Sequence, residues 1–301
     1  MNSHIGEWAA LATSVCWSGS AVFFGLASRR VGSLVVNRTR LVLASIFLVT
    51  THVLVIGSIV PLDAPPERWF WLGLSGIIGL TLGDALLFQA YVLIGPRMGM
   101  LLLSTAPLLS ALLAWAFLGE GISWIAWMGI LVTVGGVAWV VVGRDRSEGD
   151  ALPAKYAQGI MVGLGAAACQ AIGLILSKQG LSGDYPALSG VVIRMLTATA
   201  AIWLLTVLQG QARTTVDRLR QDPRVLLPAF AGSVIGPFLG VWLSLIAVQR
   251  AQVGIASTLM ALPPVFLVPI GWIVFKERFG WQAVAGTLVA IIGVAMLFLL
   301  P

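Results

Sequence analysis

Charge is the first thing this sequence has little of. Only 10% of its 301 residues are Asp, Glu, Lys or Arg, while 58% are hydrophobic and the mean hydropathy is +0.97. A water-soluble domain carries about 25% charged residues, so most of this exterior has to face lipid. Histidine is scarcer still, with His4 and His52 standing alone. No His/Cys/Asp cluster has metal-ligand spacing, which argues against a metal centre or a membrane-embedded enzyme and calls for no cofactor. A phosphate loop of the G-x-x-x-x-G-K-[ST] kind is missing, which argues against direct drive by ATP. The two cysteines, Cys16 and Cys169, lie deep in separate apolar runs and read as small packing residues rather than a disulfide. The net charge of +6 is not laid out as basic patches with interleaved aromatics, so nucleic acid is not an expected partner. Instead the basic residues punctuate the apolar runs, where they orient helices in a bilayer. The start, MNSHIGEWAA, lacks a basic n-region and a small-residue cleavage site, so the first apolar stretch is expected to be a span and not a signal peptide.

What is present is a series of apolar runs. A spanning helix takes about 20 mostly apolar residues, because every backbone polar group must be satisfied inside the hydrocarbon. The expected fold is an all-α membrane protein of ten transmembrane helices, at about 6–27, 34–57, 69–93, 97–117, 122–143, 157–178, 187–208, 225–248, 253–275 and 281–300. PLDAPPER, GPR, LGEG, QARTTVDRLRQDPR and KERFG supply breaks between spans, and RDRSEGDALPAKY is the longest interruption near the middle. The expected organisation is therefore residues 1–143 as one five-helix repeat, 144–156 as linker and 157–301 as a second repeat.

The halves resemble each other. A shift of 157 residues carries Gly79, Gly83, Pro107, Trp115, Glu120, Trp124, Gly129 and Gly136 onto Gly236, Gly240, Pro264, Trp272, Glu277, Trp281, Gly286 and Gly293. Nearer the start the offset shrinks, and Arg40 matches Arg194 in the pattern R-x-x-x-A while Cys16 matches Cys169. Rare residues repeated in that order indicate a duplication. An odd number of spans per repeat makes the second enter the membrane from the opposite side. Inverted repeats of that kind recur in secondary transporters, with the substrate near mid-membrane where the halves meet.

The repeat ends APLLSALLAWAFLGEGISWIAWMGILVTVGGVAWV and PPVFLVPIGWIVFKERFGWQAVAGTLVAIIGVAML resemble those of EamA repeats in the drug/metabolite transporter superfamily. CWSGS in the first span is similar to that family's W-G-S element, with Gly and Ser exchanged. The resemblance implies a central cavity ringed by spans one to four and six to nine, with five and ten peripheral. It implies export of amino acids or other metabolites, and related branches carry nucleotide sugars or lipid-linked sugars. The glutamate that small proton-coupled relatives use in their first helix has no counterpart, since Glu7 lies near the end of its span and reads as an interfacial group.

The candidate substrate-binding residues are Trp17, Ser20, Thr81, Asp84, Phe88, Tyr91, Ser104 and Gln170. Asp84 is near the middle of its span, and a carboxylate in hydrocarbon should face a cavity or a cationic partner. It shares helical spacing with Thr81, Phe88 and Tyr91. It reads either as a contact for a substrate amine or a proton, or as a helix-to-helix hydrogen bond. Val241 occupies its place in the second repeat. Trp17 and Gln170 are equivalent positions on spans one and six, and Ser20 lies on the face of Trp17. Arg40 and Arg194 open the second span of each repeat and read either as a grip on a substrate carboxylate, which a planar guanidinium suits, or as a structural bond to a neighbouring helix end, the reading favoured because both copies keep the residue; Arg38 reads as a topology charge. Pro107 and Pro264 should bend spans four and nine, freeing carbonyls near Ser104 and near Met260. Glu120 and Glu277 should sit at the positive N-terminus of the next helix. Gly73, Gly76, Gly79 and Gly83, and Gly232, Gly236 and Gly240 with Ser244, make small-residue stripes for close helix packing.

The expected activity is secondary export of small organic metabolites, amino acids first, by a monomer in the inner membrane. A sugar-nucleotide translocator would need several cavity cations for phosphate, and only Arg38, Arg40 and Arg194 are available. A non-transporting scaffold is the remaining alternative.

Orientation follows from charge. Alternate loops place Arg29, Arg30, Arg97, Arg144, Arg146, Lys155, Arg213, Arg218, Arg220, Arg224, Lys276 and Arg278 on one side, against Arg68, Lys178 and Arg250 on the other, 12 against 3. The positive-inside rule puts the richer side in the cytoplasm and both termini outside it. A C-terminal phosphatase fusion should therefore be active and a C-terminal fluorescent-protein fusion dark. The reverse pattern would overturn the charge reading.

Overall fold

The computed structural model describes residues 4–142, 153–267 and 281–299. Its helices are α1 (Ile5–Val31), α2 (Ser33–Ile56), α3 (Pro66–Ile94), α4 (Gly99–Leu118), α5 (Trp124–Val142), α6 (Pro153–Gly180), α7 (Ala187–Leu208), α8 (Ala212–Gln221), α9 (Pro223–Arg250), α10 (Val253–Leu267) and α11 (Trp281–Leu299). No strand occurs among the described residues. Seven helices, α1 to α4, α6, α7 and α9, are long and apolar enough to cross a bilayer; α5, α10 and α11 carry shorter apolar stretches. Trp272, Glu277 and most of the expected linker lie outside the described residues. Helix α6 begins at Pro153, inside the segment expected to be linker.

The breaks follow backbone chemistry. Gly32, at φ +89°, separates α1 from α2, and Gly57, at φ +86°, closes α2 with its N–H donating to the Val53 carbonyl at 3.0 Å. Such conformations cost a residue with a Cβ far more than glycine. Pro66 opens α3 in the first turn, where its missing N–H would be unpaired anyway. Between α3 and α4 the backbone stays helical. Gly99 meets the Tyr91 ring there, and residues 159–163 of α6 touch both Ile94 and Leu102.

Prolines act differently from the expected kink. The fourth apolar helix breaks at Ser104–Thr105 and restarts at Ala106, with Pro107 in the first turn of the new segment. The second repeat does the same at Ala261–Leu262, ahead of Pro263 and Pro264. The new turns open alike, with Leu108 and Leu109 donating to Thr105 and with Val265 and Phe266 donating to Leu262. A proline is cheap in a first turn and costly inside a helix, so the chain puts the break one turn ahead of each.

Packing is organised by the duplication. Helix α1 lies against α9, and its counterpart α6 lies against α3, so the first helix of each repeat crosses the third helix of the other. Second helices meet directly, and the equivalent residues Ser45 and Thr199 share a 2.8 Å hydrogen bond. The last helices, α5 and α11, pair with each other and make few other contacts, the peripheral position implied by the resemblance. Gly129 faces Gly293 and Gly136 faces Gly286, so this equivalent pair runs antiparallel. Side chains such as Leu54, Val55 and Phe117 point outward, exposed apolar surface suited to lipid.

The segment after α7 is expected from the sequence as a break between spans. It holds α8, a short basic helix. Arg38, only 6% exposed, anchors it by donating to Thr215 Oγ1 at 2.8 Å and Gln211 Oε1 at 2.5 Å. Arg218 donates to the Val31 carbonyl, and Arg30 pairs with Asp222.

The α5–α11 contact makes a sharp stability test. A methyl group on Gly136 would lie 2.7 Å from the Gly286 carbonyl oxygen and 2.8 Å from the Ala290 Cα, whereas one on neighbouring Gly135 meets nothing within 4 Å. Gly136→Ala should lower stability by about 1–3 kcal/mol. Gly135→Ala should be neutral or gain up to about 1 kcal/mol from helix propensity. Thermal unfolding of the two variants in detergent checks this, and equal effects would refute the close approach.

Candidate functional site

Both third helices carry the same irregularity. Ile77–Gly83 in α3 and Val234–Gly240 in α9 are π-helical, seven residues each at the 157-residue offset of the repeat. Pro237 lies inside the second segment, but Leu80 stands in its place in the first. What the two share is a pair of glycines, Gly79 with Gly83 and Gly236 with Gly240. A π-turn widens the helix and is common at functional sites.

The crossing helices fill the glycine faces. At α3, Gly79 comes within backbone contact of Gly173, and the Gln170 side-chain oxygen borders the same glycine. Cys169 lies against Gly83. At α9, Ser20 borders Gly236, Phe24 borders Gly232, and Trp17 presents its indole edge to Gly240. Trp17 and Gln170 thus hold equivalent places at two equivalent crossings, and both are partly buried there.

Charge gathers where the first π-segment ends. Asp84 accepts a hydrogen bond from Arg40 Nη2 of α2, with side chains 14% and 19% exposed. Arg40 also donates to Asn37 Oδ1 at 2.7 Å, and its guanidinium stands 5.6 Å from the centre of the Phe24 ring. Arg194 of α7 is 2% exposed and within electrostatic range of Asp84. Its Nη1 donates to Ser177 Oγ at 2.6 Å, and its Nη2 lies against Gly79. Its Nε is buried with no hydrogen-bond partner among the described residues. Tyr91 is in range of both Asp84 and Arg40, and its ring meets Phe88 edge to face at 6.1 Å.

Asp84, Arg40, Arg194 and Gln170 are therefore brought together at the first π-segment, with Phe88 and Tyr91 one to two turns further on. Trp17 and Ser20 belong to the other crossing, linked to the cluster through Phe24 and Arg40. Two hydroxyls are committed elsewhere. Thr81 donates across to the Ala198 carbonyl at 3.0 Å, because the π-turn rotates it away from the face that α-helical spacing assigned to it. Ser104 donates to the Leu101 carbonyl at 2.6 Å. The sequence reading did not place Ser177 or Asn37 at the cluster, and it took Arg40 and Arg194 as structural. Three charges inside apolar spans, one carboxylate and two guanidiniums, were the signal available.

A family model described as EamA-like transporter family matches residues 4–142 and again 157–299. The chain belongs to the EamA-like transporter family. Comparison with curated proteins gives no match. One solved crystal structure superposes with a TM-score of 0.77 at 18% identity, over 100% of this chain and 97% of that one. At that identity the likeness shows the fold alone.

In this EamA-like chain the residues expected in the tight hairpins divide. Glu277 lies outside the described residues. Glu120 does cap a helix, but not the next one: its Oε2 accepts the backbone N–H of Val253 at 2.8 Å, at the start of α10 in the other repeat. Its Oε1 is 2.6 Å from Lys178 Nζ, which also donates to the Ala251 carbonyl at 2.7 Å. Gln252 donates to the Gly121 carbonyl beside it. Contact between the repeats, not sequence proximity, decides which helix dipole the carboxylate meets.

Removing one member of a buried ion pair strands the other. Asp84→Asn and Arg40→Gln should each lower the detergent melting temperature, and the double variant should lose less than the sum. The expected coupling is about 0.5–3 kcal/mol. Strict additivity in that cycle would show that the pair is not a unit.

Proposed function

We propose that this EamA-like protein is a secondary carrier that exports small organic metabolites, amino acids first among them and aromatic or apolar ones included. The observation that carries the reading is the intramembrane cluster of Arg40, Asp84 and Arg194 at the first π-segment, beside Gln170 and a run of aromatic rings. Charge inside a bilayer is expensive and marks a substrate or ion path. Asp84 would take a substrate amine or a proton. Phe88, Tyr91 and Trp17 would accept an apolar side chain.

Transport would proceed by alternating access. Two inverted repeats, 1–143 and 157–301 joined by 144–156, would rock about the crossings at Gly79 and Gly236, whose smooth faces let helices move without unlocking large side chains. The breaks ahead of Pro107 and Pro264 would serve as the bending points. The pairing of Glu120 with Lys178 would hold one end closed, and one state would have to release it. Both termini would lie on the periplasmic side of the inner membrane.

Flux in proteoliposomes tests this. Labelled aromatic and aliphatic amino acids should move down a gradient without ATP, and nucleotide sugars should not. Asp84→Asn should lose most of that flux or its dependence on pH. Movement of nucleotide sugars alone would overturn the amino-acid reading. Absence of flux for every solute would leave a scaffold.

A further inference from the structure

At the cluster each repeat supplies one guanidinium, but only the first supplies a carboxylate. Arg40 and Arg194 are equivalent, but Asp84 in the first repeat corresponds to Val241 in the second, and Val241 is buried. Asp84 is also the only acidic residue well inside an expected span of the whole sequence. One carboxylate therefore serves two guanidiniums. It pairs directly with Arg40, while Arg194 has only its field.

We infer that Arg194 is the seat for a carboxylate of the transported solute, taking the part for the second repeat that Asp84 takes for the first. The inference rests on the carrier reading above. Arg194 is buried and held by Ser177 through one terminal nitrogen, so its Nε–H is oriented and left without a partner among the described residues. A guanidinium presents its donors as a planar fork that a carboxylate fits. Gly79 makes room for that fork, since a methyl group there would lie 2.9 Å from Arg194 Nη2. Gln170 borders the same glycine and supplies an amide for the second oxygen or the amine. The site is reached when α3 and α6 part along Gly79 and Gly173, where their backbones meet. A monocarboxylate cancels the one surplus positive charge of the cluster, and a solute bearing only an amine adds to it.

Four probes with one ring separate the charges: L-phenylalanine, 3-phenylpropionate, L-phenylalaninamide and phenethylamine. Each is added at millimolar concentration to the full-length wild-type protein in detergent, and the melting temperature is read. The two carboxylates should raise it. The amide and the amine should bind more weakly by about tenfold to a hundredfold, the worth of a charge-assisted contact. Arg194→Gln should abolish the carboxylate shift, and Arg194→Lys should keep part of it. If the amines shift the protein as much as the carboxylates, or if no carboxylate shifts it, the inference is wrong. The wild-type comparison decides this even if the variants fail to fold. Flux of labelled L-phenylalanine is scored separately. Flux that phenethylamine competes as well as 3-phenylpropionate sinks the carboxylate seat and leaves the carrier. Carboxylate-selective shifts without flux of any solute sink the carrier and leave the seat.

Discussion

Everything in this molecule hangs on how closely two pairs of helices approach, α1 on α9 and α6 on α3. Lipid tails are as apolar as leucine, so helices in a bilayer gain little from burying apolar surface against one another. They hold together by close van der Waals contact, and that requires small residues. Gly79 on Gly173 and Gly236 on Ser20 supply it at equivalent points. The π-turns run over the same glycines and end at Asp84 and Val241. Filling either glycine would move the crossing, the widened turn and the charged cluster together.

The cluster is best viewed as one unit. Asp84 ties α3 to α2 through Arg40, Arg40 reaches α1 through the face of Phe24, and Arg194 joins α7 to α6 through Ser177. Five helices from both repeats thus meet in a set of charges that cannot be hydrated one at a time. In a medium of low dielectric such contacts are strong when complete and costly when broken. A solute able to complete them acts on the packing of both halves at once, which is the coupling that a carrier needs between binding and movement.

Against this symmetric frame the departures from symmetry stand out. Val241 replaces Asp84, Gln170 replaces Trp17, Ser177 replaces Phe24, and Gly25 stands where the second repeat has Lys178. All four lie at the crossings or at the end where Glu120 meets Lys178. Symmetric residues such as Ser45 with Thr199, or Gly136 with Gly293, do the same structural work in both copies. The asymmetric ones give the two halves different chemistry, and a solute with unlike ends can tell them apart.

Much of this was legible in the residues themselves. Long apolar runs demand helices because backbone groups cannot go unpaired in hydrocarbon, and the doubled P…W…E pattern declared the repeat without reference to any structure. Asp84 announced itself by the cost of a carboxylate at mid-depth. What remained hidden depended on helix rotation and on partners far away in sequence. The widened turn at 77–83 sends the Thr81 hydroxyl to Ala198, where α-helical spacing would have kept it beside Asp84. Glu120 caps α10, not α5, because the repeats interlock at that end. Arg38 holds α8 instead of merely marking a side. Composition and periodicity determine which segments enter the membrane, since that is decided residue by residue against lipid; which charge meets which is decided only when the apolar segments choose neighbours, because a hydrogen bond or ion pair closes only at contact distance and no periodicity encodes it.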